Sequence, residues 1–171
     1  VGQTCPDAKF DEFCLNIGQK YTQNVYIHSK YKAEELVLVA RSEGLMANIF
    51  RIGNLTWRTS DGKFQINASS NGFVQRCRGL LKVGMYGDKL EDYPMDFTQV
   101  DACAAAYVRL CFHKKVNNVY HLYNPHIYSL KALCRMFSFR IRKTSQEEFE
   151  RNLKSWKNDT DVAVLAFYNS M

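Results

Sequence analysis

The sequence predicts an α/β fold, and three observations carry that expectation. Tyr26 to Ser42 contains Tyr31-Lys32-Ala33-Glu34-Glu35-Leu36-Val37-Leu38-Val39-Ala40-Arg41, an amphipathic helix pattern that Gly44 ends as a C-cap. Leu45 to Ile52 then reads as a strand closed by Gly53-Asn54, so a helix, a short glycine link and a buried strand make one α-to-β step. A length of 171 residues at 46% apolar composition suits one domain with a real core.

The remaining elements follow in order. Val1 to Asn24 carries loop punctuation at Gly2, Pro6 and Gly18, with a weak helical stretch around Phe10 to Ile17. Thr56 to Asn71 is polar and turn-rich, centred on Arg58-Thr59-Ser60-Asp61-Gly62-Lys63, and reads as a long surface loop. Phe73 to Val83 reads as a short helix. Pro94-Met95-Asp96-Phe97 precedes a long helix from about Thr98 to His113, with Asp101 early and Lys114/Lys115 late, the order the helix dipole favours. Val119 to Tyr123 is a short strand that Pro125 breaks. Ser129 caps a helix running to about Phe137, and Phe139 to Arg142 reads as a strand. Ser145 caps another helix, with Glu148 three residues on, and Asp159 to Met171 is a last helical segment. The sequence shows no repeat, low-complexity tract or linker.

A net charge of +6 raises the question of an acidic partner, but Lys and Arg are scattered: Arg76/Arg78, Lys114/Lys115 and the denser Arg140-Ile141-Arg142-Lys143. A nucleic-acid binder concentrates such residues on one stripe with exposed aromatics, so no nucleic-acid partner is expected. The clusters read as solvated faces, with Arg140 to Lys143 the best acidic docking surface. Cysteines at 5, 14, 77, 103, 111 and 134 form no CxxC or zinc spacing, so no metal is expected. Cys103, Cys111 and Cys134 lie in apolar helical runs, where a free thiol acts as a small core residue. Reduced thiols and a cytoplasmic home are expected, and the N-x-S/T patterns at Asn54, Asn67 and Asn158 read as coincidences. The apolar stretches are too short to span a membrane.

Tyr26-Ile27-His28-Ser29-Lys30 places a tyrosine and a lysine one helical turn apart, on one face. An ammonium beside a phenol stabilises phenolate and makes the phenol a usable acid for carbonyl reduction. The phenol can then hydrogen-bond a carbonyl oxygen and deliver its proton as hydride reaches carbon. Ten tyrosines and thirteen lysines in 171 positions give roughly three-quarters of one such spacing by chance. The bland alternative is a surface tyrosine on a lysine stem. Context lifts the pair above it: Ser29, the helix that follows, and a strand ending in Arg51-Ile52-Gly53-Asn54.

Tyr26-x-x-Ser29-Lys30-Tyr31-x-Ala33-Glu34, then Arg51-x-Gly53-Asn54, then Pro94-Met95-Asp96-Phe97-x-x-Val100-Asp101 resembles the extended short-chain dehydrogenase/reductase superfamily. Within it the match is closest to the thioester reductase domains of nonribosomal peptide synthetases, carboxylic acid reductases and aminoadipate reductases. The resemblance covers nearly the whole chain. It implies the C-terminal part of an extended Rossmann-type reductase, with later strands and a helical substrate lobe. Residues 1–57 would hold the Tyr-Lys helix and the following strand. Residues 58–171 would be mainly the substrate and carrier-protein lobe.

The resemblance further implies reductive release of an acyl thioester, as aldehyde or alcohol, from a phosphopantetheinylated carrier protein using NADPH (or NADH). Tyr26 would be the catalytic acid, Lys30 its partner and a ribose contact, and Gly53, Asn54 and Leu55 would lie beside the nicotinamide. The competing use of Asn54 is a cap or turn. Asp96 and Asp101 match a motif that is more architectural than catalytic, with Asp101 at its helix N-terminus. His28 is a bystander.

The family's phosphate-binding glycine loop and the Ser/Thr of its triad would lie upstream of Tyr26, and Thr4 falls after the expected hydroxyl position. The expectation is therefore an incomplete domain without cofactor affinity of its own. Its natural partner would be the upstream half of the same reductase, and an exposed sheet edge would allow self-association. Rival expectations are an acyl-CoA reductase, a ketone reductase or a sugar-nucleotide epimerase of the same superfamily, or a noncatalytic module docking a carrier protein through Arg140 to Lys143.

Overall fold

The computed structural model describes residues 11–12, 14–18, 21–113, 115–136, 140–156 and 158–169. In chain order its elements are α1 (Val25–Ser42), β1 (Ile49–Ile52), β2 (Leu55–Thr56), α2 (Gly72–Val83), β3 (Met85–Gly87), β4 (Pro94–Met95), β5 (Thr98–Gln99), α3 (Val100–Cys111), β6 (Val119–Leu122), β7 (Tyr128–Ser129), α4 (Leu130–Met136), β8 (Arg142–Thr144), α5 (Gln146–Ser155) and α6 (Thr160–Asn169). The fold is mixed α/β, as expected. β1 pairs with β6, β2 with β5 and β3 with β8 in parallel, while β4 and β7 pair antiparallel. Parallel partners cannot be joined by a tight turn, so helical crossovers separate them.

The chain forms two compact units, residues 1–53 with 101–123 and residues 54–100 with 124–171. In the first, Asn24 caps α1 by accepting from the Ile27 N–H at 3.1 Å. Its other end closes in a Schellman turn. Gly44, at φ +103°, donates to the Arg41 carbonyl and Leu45 donates to that of Ala40. β1 and β6 align Ile49 with Val119 and Ile52 with Leu122. Phe50 packs its ring 4.5 Å from Tyr107 and 5.3 Å from Tyr120. Ile27 and Tyr31 are the buried residues of α1, whereas Leu36 is 69% exposed and Val39 is also exposed. The helix forms where expected, but its apolar run is not a buried stripe within this unit.

The second unit is organised around Leu80, Met85, Phe149, Leu153, Val162 and Leu165. α2 lies so close to α6 that a Cβ on Gly79 would stand 2.7 Å from the Asp161 carbonyl oxygen. Asn71 caps α2 by accepting from Val74, and Gly84 ends it in the left-handed conformation. Ser129 accepts from the Ala132 N–H and Ser145 from that of Glu148, as expected for caps of α4 and α5.

Several expectations need correction. Asp11–Glu12 and Cys14–Gly18 are bends and irregular chain rather than helix. Asp11 accepts from Cys14 N–H and Asn16 from Gly18 N–H, side-chain turns that compete with helical bonding. Gly2, Thr4, Cys5, Pro6, Phe10, Lys114, Phe137, Phe139 and Met171 lie outside the described residues. β1 starts at Ile49, not Leu45, and the long helix starts at Val100 because Thr98–Gln99 pairs with Leu55–Thr56. The Thr56 to Asn71 loop contains a 3-10 turn at Ala68–Ser70. The strand expected at Phe139 to Arg142 is β8, displaced toward the C-terminus, because Arg142, Lys143 and Thr144 meet Met85, Tyr86 and Gly87. Glu148 does not complete a capping box; its carboxylate accepts from Arg142 and the Thr144 hydroxyl.

Arg76 and Arg78 are not a solvated face. Arg76 is buried with its guanidinium carbon 4.0 Å from the Tyr93 ring centroid, and Arg78 pairs with Asp161 at 2.8 Å. Cys14, Cys77, Cys103, Cys111 and Cys134 are free thiols. Cys103 and Cys134 are buried as expected, and burial pushes both thiols up. Cys111, on the last turn of α3, is exposed rather than a core residue.

Candidate active site

Tyr26 and Lys30 occupy the first two turns of α1, whose entry angle is set by the Asn24 cap and by the two buried residues Ile27 and Tyr31. Tyr31 stacks on Tyr21 at 3.7 Å and 3°, and burial pushes its phenol up. Tyr26, five residues earlier, faces the other way and is 69% exposed. The Lys30 ammonium lies 5.4 Å from the Tyr26 ring centroid, and Lys30 makes no ion pair among the described residues. The two groups are thus brought together, the cation over the ring. Ser29 is spent locally, its hydroxyl donating to the Tyr26 carbonyl at 2.7 Å. His28 packs 5.7 Å from the Tyr21 ring.

The helix carrying this pair is fastened to β1 by Arg51. Its guanidinium donates to the Glu34 carboxylate from Nη2 at 2.6 Å and from Nε at 3.1 Å. Nη1 donates to the Asp11 carbonyl, and Nη2 also reaches the Cys14 carbonyl at 3.1 Å. Nη1 lies 2.9 Å from His121 Nε2 on β6. Arginine only donates, so in this contact Nε2 of His121 takes the acceptor side. The motif Arg51-x-Gly53-Asn54 therefore contains a structural clamp that the sequence left without a role. Both partners stand in the quoted motifs, but nothing local pairs residues 34 and 51.

Gly53 continues the β1–β6 ladder, donating to the Leu122 carbonyl at 3.0 Å. In the second unit, Asn54 is held through its backbone. Its N–H donates to Asp96 at 2.8 Å and its carbonyl accepts from Thr98 N–H at 3.0 Å. The same Asp96 carboxylate accepts from the Thr98 hydroxyl at 2.9 Å, and that hydroxyl accepts from Asn124 N–H at 2.9 Å. Asp96 is architectural, as expected, and Thr98 and Asn124 join it unannounced by the sequence. Leu55 stands opposite Thr98 in register. Asp101, in the first turn of α3, accepts from the Ala102 N–H at 3.0 Å. Among the described residues no cluster of His, Cys, Asp and Glu could hold a metal, and no helix is long and apolar enough to cross a membrane.

A family profile described as male sterility protein, an NAD-binding family, matches residues 3–107, which include Tyr26, Lys30, Arg51, Asp96 and Asp101. The chain belongs to this family. Comparison with curated protein sequences gives no match. Among solved structures, the chain is similar to a thiolation-reductase di-domain from an archaeal non-ribosomal peptide synthetase, at 28% identity and TM-score 0.76, covering 96% of this chain and 35% of that one. It is likewise similar to the reductase domain of the aureusimine biosynthetic cluster, at 28% identity and TM-score 0.79, covering 98% and 44%. The terminal R domain of the myxalamid PKS-NRPS pathway gives 25% identity and TM-score 0.70, covering 85% and 38%.

The chain thus spans about 35–44% of the length of these solved chains. Its fold corresponds to the C-terminal part of such reductase domains, a partial extended short-chain reductase fold, as the sequence resemblance implied. The male sterility family is an NAD-binding one.

Proposed function

We propose that this chain is the C-terminal part of an NAD(P)H-dependent thioester reductase that releases a carrier-protein-bound acyl or peptidyl chain as aldehyde or alcohol. The observation that carries the proposal is the pairing of an exposed Tyr26 with a Lys30 that makes no ion pair among the described residues, at the start of α1, in a chain of an NAD-binding family. The archaeal neighbour, a thiolation-reductase di-domain, combines a reductase with a thiolation domain, which supports a carrier protein as the source of the thioester here.

NADPH or NADH, when bound by the complete domain, supplies the hydride that reaches the thioester carbonyl carbon. Tyr26 hydrogen-bonds the carbonyl oxygen and gives it a proton as charge develops there. The C–S bond of the resulting thiohemiacetal then breaks to leave the aldehyde and the carrier thiol, and a second hydride and proton would give the alcohol. Lys30 stabilises the phenolate left behind and has spare donors for a ribose hydroxyl. Gly53 supplies a site without a side chain at the end of β1, and the exposed Asn54 and Leu55 follow it as the segment beside the nicotinamide. The residues present fit such a ligand: Lys30 has a cation to offer, and Gly53 has no side chain to obstruct close approach. In this proposal residues 1–57 carry the catalytic helix and strand, and residues 58–171 mainly the substrate and carrier lobe. The fragment alone is expected to be inactive.

The test is nicotinamide oxidation, followed optically, by a polypeptide of full reductase length containing this chain, with an acyl-pantetheine thioester as substrate. Thioester-dependent oxidation with release of free thiol is expected. Oxidation with a sugar nucleotide or a free ketone, and none with the thioester, would contradict the proposal.

A further inference from the structure

The second unit carries a concavity of about 360 Å³ that the proposed chemistry does not use. Tyr86 and Ile141 form its apolar part, and its charged lining is Glu91, Lys131, Arg135 and Lys143. Lys131 and Arg135 are four residues apart on α4 and share a face. Lys143 reaches the same place from β8, and the Glu91 carboxylate accepts from both ammonium groups. Hydrogen bonds from Lys131 and Lys143 hold the Glu91 carboxyl at about 2, so it remains ionised and keeps the two lysines at the rim. Three cations against one carboxylate leave a surplus of two positive charges. Each lysine keeps further N–H donors beyond those given to Glu91.

The run Arg140 to Lys143 is not one uniform basic face. Arg142 turns away to Glu148 at 2.6 Å, whereas Lys143 lines the concavity. Arg135 and Arg140 are exposed and make no ion pair among the described residues. Arg140 directly precedes Ile141 of the lining, and neither it nor Arg135 has a counter-ion among the described residues. A small anion would need only the donors of the concavity; the additional exposed Arg140 matches a broader acidic surface.

We propose that Lys131, Arg135 and Lys143 form a docking site for a carboxylate-rich face of the carrier protein, with Arg140 extending it. This rests on the thioester reductase proposal for the identity of the partner. Glu91 presets the two lysines, and incoming carboxylates pair with the spare donors and with Arg135. The attraction steers encounter and weakens as salt rises.

The test is equilibrium binding of the cognate carrier protein, phosphopantetheinylated but unacylated, to the full-length reductase polypeptide. Arg135→Glu combined with Arg140→Glu should weaken binding at least about tenfold, since two cations become anions facing carboxylates. Lys154→Glu, which reverses an exposed charge on α5, should leave affinity unchanged. Turnover of a free acyl-pantetheine thioester should be unaffected by all three substitutions. Unchanged carrier affinity in the folded double variant would overturn the proposal, as would equal loss in the Lys154 control or no carrier binding by the wild type. Binding of inorganic phosphate that is lost in the double variant, without carrier binding, would make the concavity a small-anion site and also overturn it. Absent turnover with carrier binding intact and lost on charge reversal would sink the reductase proposal while supporting the docking site.

Discussion

Arg51 grips Glu34 through two guanidinium nitrogens, at 2.6 and 3.1 Å, and so ties the end of β1 to the middle of α1. Both side chains are only 12% exposed, which takes the pair out of the weak class of surface ion pairs. Replacing Arg51 by Ala leaves a nearly buried carboxylate without its partner and should cost about 3 kcal/mol of stability. Arg51→Lys should recover little, because a point cation cannot reproduce the fork on Glu34 together with the two carbonyl contacts. Denaturant unfolding measures both; a lysine variant as stable as wild type would contradict the clamp.

Asp96 serves the second unit in a comparable way. Its carboxylate holds the Asn54 N–H and the Thr98 hydroxyl together. Asp96→Ala should cost about 1–3 kcal/mol, since Thr98 is buried and loses its acceptor. In the full-length polypeptide it should also raise KM for the nicotinamide more than it lowers kcat, because Asn54 and Leu55 are proposed cofactor contacts. An unchanged KM in a destabilised variant would remove Asn54 and Leu55 from that role.

Acid should expose the contribution of Glu91. Its carboxyl ionises at about 2 in the folded chain against an ordinary 4.5, so its contribution is complete above about 4.5 and disappears as pH falls toward 2. Asp159 and Asp161 are lowered in the same direction by Lys82 and by Arg78 with Lys82, so acid weakens the junction between α2 and α6 as well. The Tm difference between wild type and Glu91→Gln should be largest above pH 4.5 and close toward pH 2. A difference independent of pH would show that the Glu91 charge contributes nothing.

Gly79 sits inside α2, where alanine ordinarily stabilises a helix by up to about 1 kcal/mol. Here a Cβ would approach the Asp161 carbonyl oxygen to 2.7 Å and Leu165 Cβ to 3.1 Å. Gly79→Ala should therefore destabilise by about 1–3 kcal/mol, overpacking exceeding the propensity gain. Increased stability in urea would mean that α2 and α6 separate at little cost.

Locally encoded features were readable in the sequence. The Tyr26–Lys30 spacing, the Gly44 stop and the Ser129 and Ser145 caps depend on neighbours within five residues, and each forms as expected. The features that went unread are long-range. Arg51 meets Glu34 only after the chain turns from α1 into β1, and Arg76 looks like a surface charge until Tyr93 covers it. β8 is built from Arg142, Lys143 and Thr144, whose polarity hides a strand because its partner β3 supplies the buried side chains. Cys111 has an apolar neighbourhood in sequence, yet its position on the last turn of α3 leaves it in solvent.

The central claim is that Tyr26 is the proton donor, and Tyr26→Phe in the full-length reductase polypeptide tests it most directly. The substitution removes one oxygen from an exposed side chain, so folding and nicotinamide binding should be unchanged. Thioester-dependent nicotinamide oxidation should fall about a hundredfold or more. Turnover close to wild type would make the tyrosine a piece of scaffold and contradict the account.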